Sequence, residues 1–235
     1  MDPSDLASLV PAALLDDFMV GLAIMDTRGL TEGFGHLSSR VERGFVITPA
    51  LAPGLATRED LLVMDPGGRL IRGAHGRTPA LETPLHTRLY ARRPDVGALC
   101  RTHSPWAVAW GLRAEPLRPA HGFGLMLGES VPYHGRGDLV ATAEAGDAAA
   151  ADMGGARALF LKGNGLVVAG ANVREAVVRA LYLEEACRLA LCSGGPSPAA
   201  LFSAAEREAR SRWHDAELAR AWAYYSARAS SRLPK

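Results

Sequence analysis

Arg157-Ala158-Leu159-Phe160-Leu161-Lys162-Gly163-Asn164-Gly165-Leu166-Val167-Val168-Ala169 is one apolar run, a glycine-flanked asparagine and a second apolar run. Glycine supplies left-handed backbone and asparagine tolerates a tight turn, so the stretch predicts two strands joined as a hairpin. Similar breaks lie upstream. His36 to Val41 and Phe45 to Thr48 flank Glu42-Arg43-Gly44, while Leu61 to Met64 and Arg69 to Arg72 flank Asp65-Pro66-Gly67-Gly68. Helices alternate with these strands. Leu14, Phe18, Leu22 and Met25 form the stripe of an amphipathic helix that stops near Gly29. Pro84, Leu85 and Leu89 place another from about Glu82 to about Arg92. Val96 to His103 reads as a strand, and Ser104-Pro105 as the cap and first residue of the next helix. Ala141 to Ala151 is good helix material, and Asn172 caps a long helix through about Cys192. After a break at Ser193 to Pro198, one more helix carries Trp213, Trp222, Tyr224 and Tyr225, within a helical extension over 197–232. Helices mixed with hairpins, in no strict β-α-β order, predict one layered α/β domain over 1–235 with a mixed or largely antiparallel sheet.

Composition narrows the function classes. Twenty-six basic against 25 acidic residues leave a formal charge of +1, without a basic block, so neither nucleic acid nor membrane is the expected partner. Met1-Asp2-Pro3-Ser4-Asp5 carries acids where a signal peptide is basic, and no apolar run approaches a membrane span, which predicts a cytoplasmic protein. Cys100, Cys187 and Cys192 are expected to be reduced. No glycine-rich nucleotide-binding fingerprint follows a strand.

Leu99, Arg101 and His103 share one face of their predicted strand, since side chains alternate. Arg101 is a permanent cation with a planar donor fork, and His103 can transfer a proton near neutral pH. Glu82 and His86, at i and i+4, are expected on one helix face. His36 starts a strand after Gly35, and His121 lies in a glycine-rich, poorly periodic stretch from Leu117 to Tyr133 with the character of a functional loop. Each is weak alone, and Asn164 needs no function to occupy a turn.

In order, however, Gly35-His36-Leu37-Ser38-Ser39-Arg40, Ile47-Thr48-Pro49, Glu82-Thr83-Pro84-Leu85-His86 with Tyr90-Ala91-Arg92-Arg93-Pro94-Asp95-Val96, Arg101-Thr102-His103-Ser104, Gly163-Asn164-Gly165 and Glu175-Ala176 resemble the class II aldolase/adducin family across roughly residues 10 to 192. The resemblance implies a three-layer α/β/α sandwich around a mixed, mainly antiparallel sheet. It also implies homotetramers with sites at subunit boundaries.

Metal-dependent members hold a divalent ion with a His-x-His pair and a later histidine before a glycine, and a glutamate acts as acid/base. Here those positions are Arg101, His103 and Asn164, with the glutamate at Glu82. Two imidazole ligands are missing, so no tightly bound metal is expected. Zinc, manganese or iron remains the alternative, held by His103 with His121 or Glu82, or with His36. The family's phosphate-binding turn reads Thr48-Pro49-Ala50-Leu51, and its hydroxyl pair before the glutamate reads Ala80-Leu81, which disfavours a phosphorylated substrate. The aldolases' proton-transferring tyrosine corresponds to Gly122.

The resemblance therefore implies a lyase acting on an unphosphorylated carbonyl or carboxylic acid compound, decarboxylation coming first. Glu82, His103 and Arg101 are the catalytic candidates, with Arg101 stabilising an enolate-like intermediate. His36, Ser38, Thr48, His121 and Asn164 are the substrate-binding candidates. The alternatives are a metal-dependent aldolase, dehydratase or isomerase with a rearranged site, and a non-catalytic adducin-like binding module.

Overall fold

The computed structural model describes residues 4–74 and 76–229. A short helix α1, Ser4–Leu9, precedes α2, Ala12–Thr27, whose apolar face ends before Gly29 enters the left-handed region. Four strands follow: β1 His36–Val41, β2 Gly44–Ile47, β3 Leu62–Met64 and β4 Leu70–Arg72. Next come α3 Thr83–Arg92, β5 Ala98–Thr102, α4 Pro105–Gly111, β6 Tyr133–His134, α5 Ala143–Met153, β7 Ala158–Leu161, β8 Leu166–Gly170 and α6 Val173–Cys192. The chain continues through α7 Ala204–Ser211 and α8 His214–Ala229. The expected single C-terminal helix is thus two, with Arg212 and Trp213 at the break. Residues 230–232 of that extension lie outside the described residues.

The eight strands form one sheet in the order β4-β3-β2-β1-β5-β8-β7-β6. Every pairing is antiparallel except β6 with β7. The chain is a mixed, mainly antiparallel α/β fold, as the hairpin signals predict. Alternation along each strand separates two cores. Cys100, Phe160, Leu166 and Val168 face α2, α4, α6 and α8 on one side. Leu99, Leu159, Val167 and Ala169 face α3 and α5 on the other. Helices cover both faces, which gives three layers.

Caps follow the sequence in part. Asn172 Oδ1 accepts the Glu175 amide at 3.0 Å at the start of α6. Ser104 occupies the cap position of α4, but its buried hydroxyl makes no capping bond. Glu184 of α6 accepts the Trp106 and Ala107 amides instead, at 2.9 Å each, so a tertiary carboxylate satisfies the free donors.

Candidate active site

Parity along β5 and β1 builds the site. Leu99 and Arg101 face the α3 layer, and the register sets His36 opposite Arg101 and Ser38 opposite Leu99. The start of α3 comes to the same place, with Glu82 at its N-cap position. The third contribution is the turn between β7 and β8. Gly163 and Gly165 hold φ of 62° and 69°, and a Cβ on Gly165 would stand 2.1 Å from the Thr102 carbonyl oxygen. Glycine at both ends lets the turn close tightly over the end of β5 and carry Asn164 with it.

These elements converge beside a cavity of about 640 Å³. His36, Glu82, His103 and Asn164 form its polar corner, while Phe34, Pro49, Ala50, Leu51, Ala80, Leu81 and Leu139 make its remaining wall largely apolar. Phe34 and Leu81 are 77% and 73% exposed, an unusual state for large apolar side chains that flank a cleft.

Arg101 lies beneath this wall. It is fully buried, and it extends toward Glu82 rather than into the cavity. Its Nε donates to Glu82 Oε2 at 3.1 Å, Nη2 lies 3.0 Å from the same oxygen, and Nη1 donates to the Thr102 carbonyl at 2.7 Å. The expectation that its fork meets substrate is corrected here, because Glu82 and backbone carbonyls engage all three nitrogens. Asn164 joins the pair to His103. Its Nδ2 donates to Glu82 Oε1 at 3.3 Å, and its Oδ1 lies 3.1 Å from His103 Nε2. His103 itself has left the strand, which ends at Thr102.

The histidines around Arg101 are held neutral. Burial, then the charge of Arg101, lowers His36 to about 3. Burial followed by His36 and Arg101 lowers His86 well below its ordinary value. His103 is lowered by burial and by Arg101, against smaller upward pulls from Asn164 and from the Phe34 backbone. A protonated imidazole would lose hydration and face a fixed guanidinium.

Glu82 and His86 diverge, because Glu82 precedes the first helical turn. His86 is completely buried, with its ring 5.6 Å from that of His36. Its Nδ1 bonds the Ser38 hydroxyl at 2.8 Å, which also bonds the Tyr90 hydroxyl at 2.8 Å. Ser38 therefore sits under the cavity as part of a buried chain, not on its wall. Thr48 is also fully buried, where its hydroxyl accepts the Leu37 amide at 3.2 Å. His121 belongs to another depression of about 300 Å³ beside the end of α6. Within one chain it does not meet the other candidates.

Sequence reasoning left His86 as a weak helix partner and gave Tyr90 no role. Their signal was parity: His36 and Ser38 on one strand face require partners from the helix above. Leu139 carried no local signal, since its place depends on the loop before α5.

Residues 19–191 match the family described as "Class II Aldolase and Adducin N-terminal domain". The chain belongs to this family. It is 33% identical to a 3,4-dihydroxyphthalate decarboxylase of Terrabacter sp. (strain DBF63) over 179 residues, covering 70% of this chain and 74% of that protein. It is 32% identical to a 5-methylthioribulose-1-phosphate/5-deoxyribulose-1-phosphate aldolase of Rhodospirillum rubrum over 161 residues, 68% of this chain and 72% of that protein. In structure it is similar to an L-fuculose 1-phosphate aldolase, with a TM-score of 0.77 and 23% identity, covering 87% of this chain and 97% of the other. That last likeness concerns the fold.

The divalent ion associated with this family does not suit the donors present here. Among the described residues, no three His, Cys, Asp or Glu side chains stand together as a ligand set. Arg101 instead places a permanent cation against Glu82, where an ion would be repelled, and Asn164 offers a neutral amide.

Proposed function

We propose that this class II aldolase family member is a lyase that decarboxylates an unphosphorylated, largely apolar carboxylic acid without a tightly bound metal ion. One observation carries the reading: the Glu82–Arg101 pair at the polar corner of an otherwise apolar cavity. Glu82 alone would repel an anionic substrate. Paired with Arg101, it presents no net charge, so a carboxylate can approach.

In this reading, the bond between the substrate carbon and its carboxylate breaks, and carbon dioxide departs. The electron pair passes to the substrate's carbonyl or ring oxygen as an enolate. His36, held neutral, donates a hydrogen bond to that oxygen in a site poor in water, with the neutral ring of His103 on the same cavity wall. Glu82 moves the proton that finally reaches carbon, drawn from the substrate hydroxyl or from solvent. Arg101 acts through Glu82. Ala50, Leu51, Ala80 and Leu81 line the cavity at positions where the family resemblance implies phosphate-binding donors, and their apolar side chains support an unphosphorylated substrate.

A homotetramer remains part of this proposal, with His121 and the aromatic C-terminal helices as candidate contributors at subunit boundaries. No described helix is long and apolar enough to cross a membrane. The three cysteines are unpaired, which supports a reducing, cytoplasmic setting.

The test is carbon dioxide release from a panel of hydroxylated aromatic and β-keto acids, with 3,4-dihydroxyphthalate included and sugar phosphates as controls. Release from at least one acid, with sugar phosphates left intact, is expected. Cleavage of a sugar phosphate without any decarboxylation would overturn the proposal.

A further inference from the structure

We infer that Asn164 is a positioning residue that fixes which ring nitrogen of His103 carries the proton. Arg101 sets the order of charges. Its guanidinium holds Glu82 as the anion of a buried ion pair, with Nη2 3.0 Å and Nε 3.1 Å from Oε2. An ionised carboxylate accepts hydrogen bonds and donates none.

Asn164 stands between this carboxylate and the imidazole, 3.3 Å from Glu82 Oε1 and 3.1 Å from His103 Nε2. An amide has one donating end and one accepting end. Its oxygen cannot face Glu82 without two acceptors meeting, so Nδ2 faces Glu82 and Oδ1 faces His103. An accepting Oδ1 in turn requires a donor, and His103 must carry its proton on Nε2. The remaining nitrogen, Nδ1, is buried without a side-chain partner. The order of charges from Arg101 to Glu82, through Asn164 to His103, selects Nε2–H, and Asn164 does so against the Phe34 backbone, which also pulls on the ring as an acceptor.

The consequence concerns the polar corner of the cavity. His103 is a neutral Nε2–H imidazole, and the nitrogen nearest Asn164 is a donor rather than a base. That proton is taken up by Asn164 Oδ1, so His103 stands at the polar corner as a neutral ring that neither donates to a substrate oxygen nor accepts a proton at Nε2. The catalytic consequence rests on the decarboxylase reading, whereas the tautomer does not.

The experiment is long-range proton–nitrogen NMR on the full-length protein with nitrogen-15-labelled histidine at pH 7.5. His103→Gln identifies the His103 signals among the seven histidines. The wild type should show Nε2 protonated and Nδ1 unprotonated. Asn164→Ala should convert this single tautomer into a mixture. Asn164→Asp, which sets a second carboxylate beside the ring, should raise the His103 titration midpoint at least tenfold in proton affinity. A wild-type Nδ1–H form, or an unchanged single tautomer in Asn164→Ala, overturns the inference. No substrate is used, so failure of the carbon dioxide assay bears on the proposed reaction alone. Should Asn164→Asp not fold, the wild-type and Asn164→Ala spectra still decide the matter.

Discussion

At the residue scale, Arg101 and Glu82 are charged side chains kept almost wholly from water, and neither is stable there without the other. Removing one partner of such a pair leaves an uncompensated buried charge and costs ~3–5 kcal/mol. Arg101→Ala should therefore lower stability by about that amount and, by leaving Glu82 unpaired, lower turnover as well. Combining Arg101→Met with Glu82→Gln removes both charges, and should recover much of the stability but none of the activity. Urea midpoints alongside turnover check both claims, and a native midpoint in Arg101→Ala would refute them. Ligand chemistry gives a second prediction for the same residues. Arg101→His combined with Asn164→His sets imidazoles at both substituted positions, with His103 beside them. The double variant should bind zinc near one equivalent by elemental analysis, while the wild type carries well under one.

At the scale of elements, the turn between β7 and β8 carries the site, and its two glycines meet different obstacles. Gly163 and Gly165 both have positive φ, which costs a side chain of order 1–3 kcal/mol. A Cβ on Gly163 meets nothing within 4 Å, whereas one on Gly165 meets Thr102 O at 2.1 Å and Arg101 Nη1 at 3.1 Å. Gly165→Ala should be the more destabilising in thermal melts and should also disturb Asn164, while Gly163→Ala costs only the backbone term. Equal losses would contradict this account. This turn was legible as a turn, because glycine and asparagine state their backbone needs locally. The strand β5 was legible too, and parity put Leu99 and Arg101 on one face, although His103, expected on that face, lies past the strand's end at Thr102. The depth of Arg101 was not legible. Alternation tells which face a side chain takes, but Arg101 is enclosed because α3, β1 and the Gly163–Gly165 turn close around it, and those contacts are distant in sequence. Ser104 fails as a cap for a related reason: Glu184, 80 positions downstream, takes its task.

At the scale of the whole molecule, the sheet buries His36 and His86 beside Arg101, and this couples folding to pH. An unfolded histidine titrates near 6.5. In the folded chain His36 is pulled down to about 3, chiefly by burial and then by Arg101 and His103, and His86 is pulled well below its ordinary value by burial, His36 and Arg101. Between these native values and 6.5, the unfolded chain binds protons that the folded chain refuses. Stability then rises with pH, so it is fully present above about 6.5 and is lost as pH falls toward the native values. Each histidine contributes a slope of up to ~1.4 kcal/mol per pH unit well below 6.5. Carboxylates held low by hydrogen bonds, Asp60 by the Thr57 amide and then Arg77, and Asp147 by Arg88, act in the same direction but below their ordinary range, so they add little above pH 5. Urea unfolding at pH 7.5, 6.5 and 5.5 should show near-constant stability over the first interval and a marked fall over the second. His36→Asn, which cannot titrate, should reduce that fall by the share of one histidine. A fall of the same size in His36→Asn, or stability that rises toward pH 5.5, would mean that His36 is protonated in the folded chain. It would also remove His36 as a neutral donor in the proposed reaction, since a charged imidazole beside Arg101 would contradict the electrostatics on which that role depends.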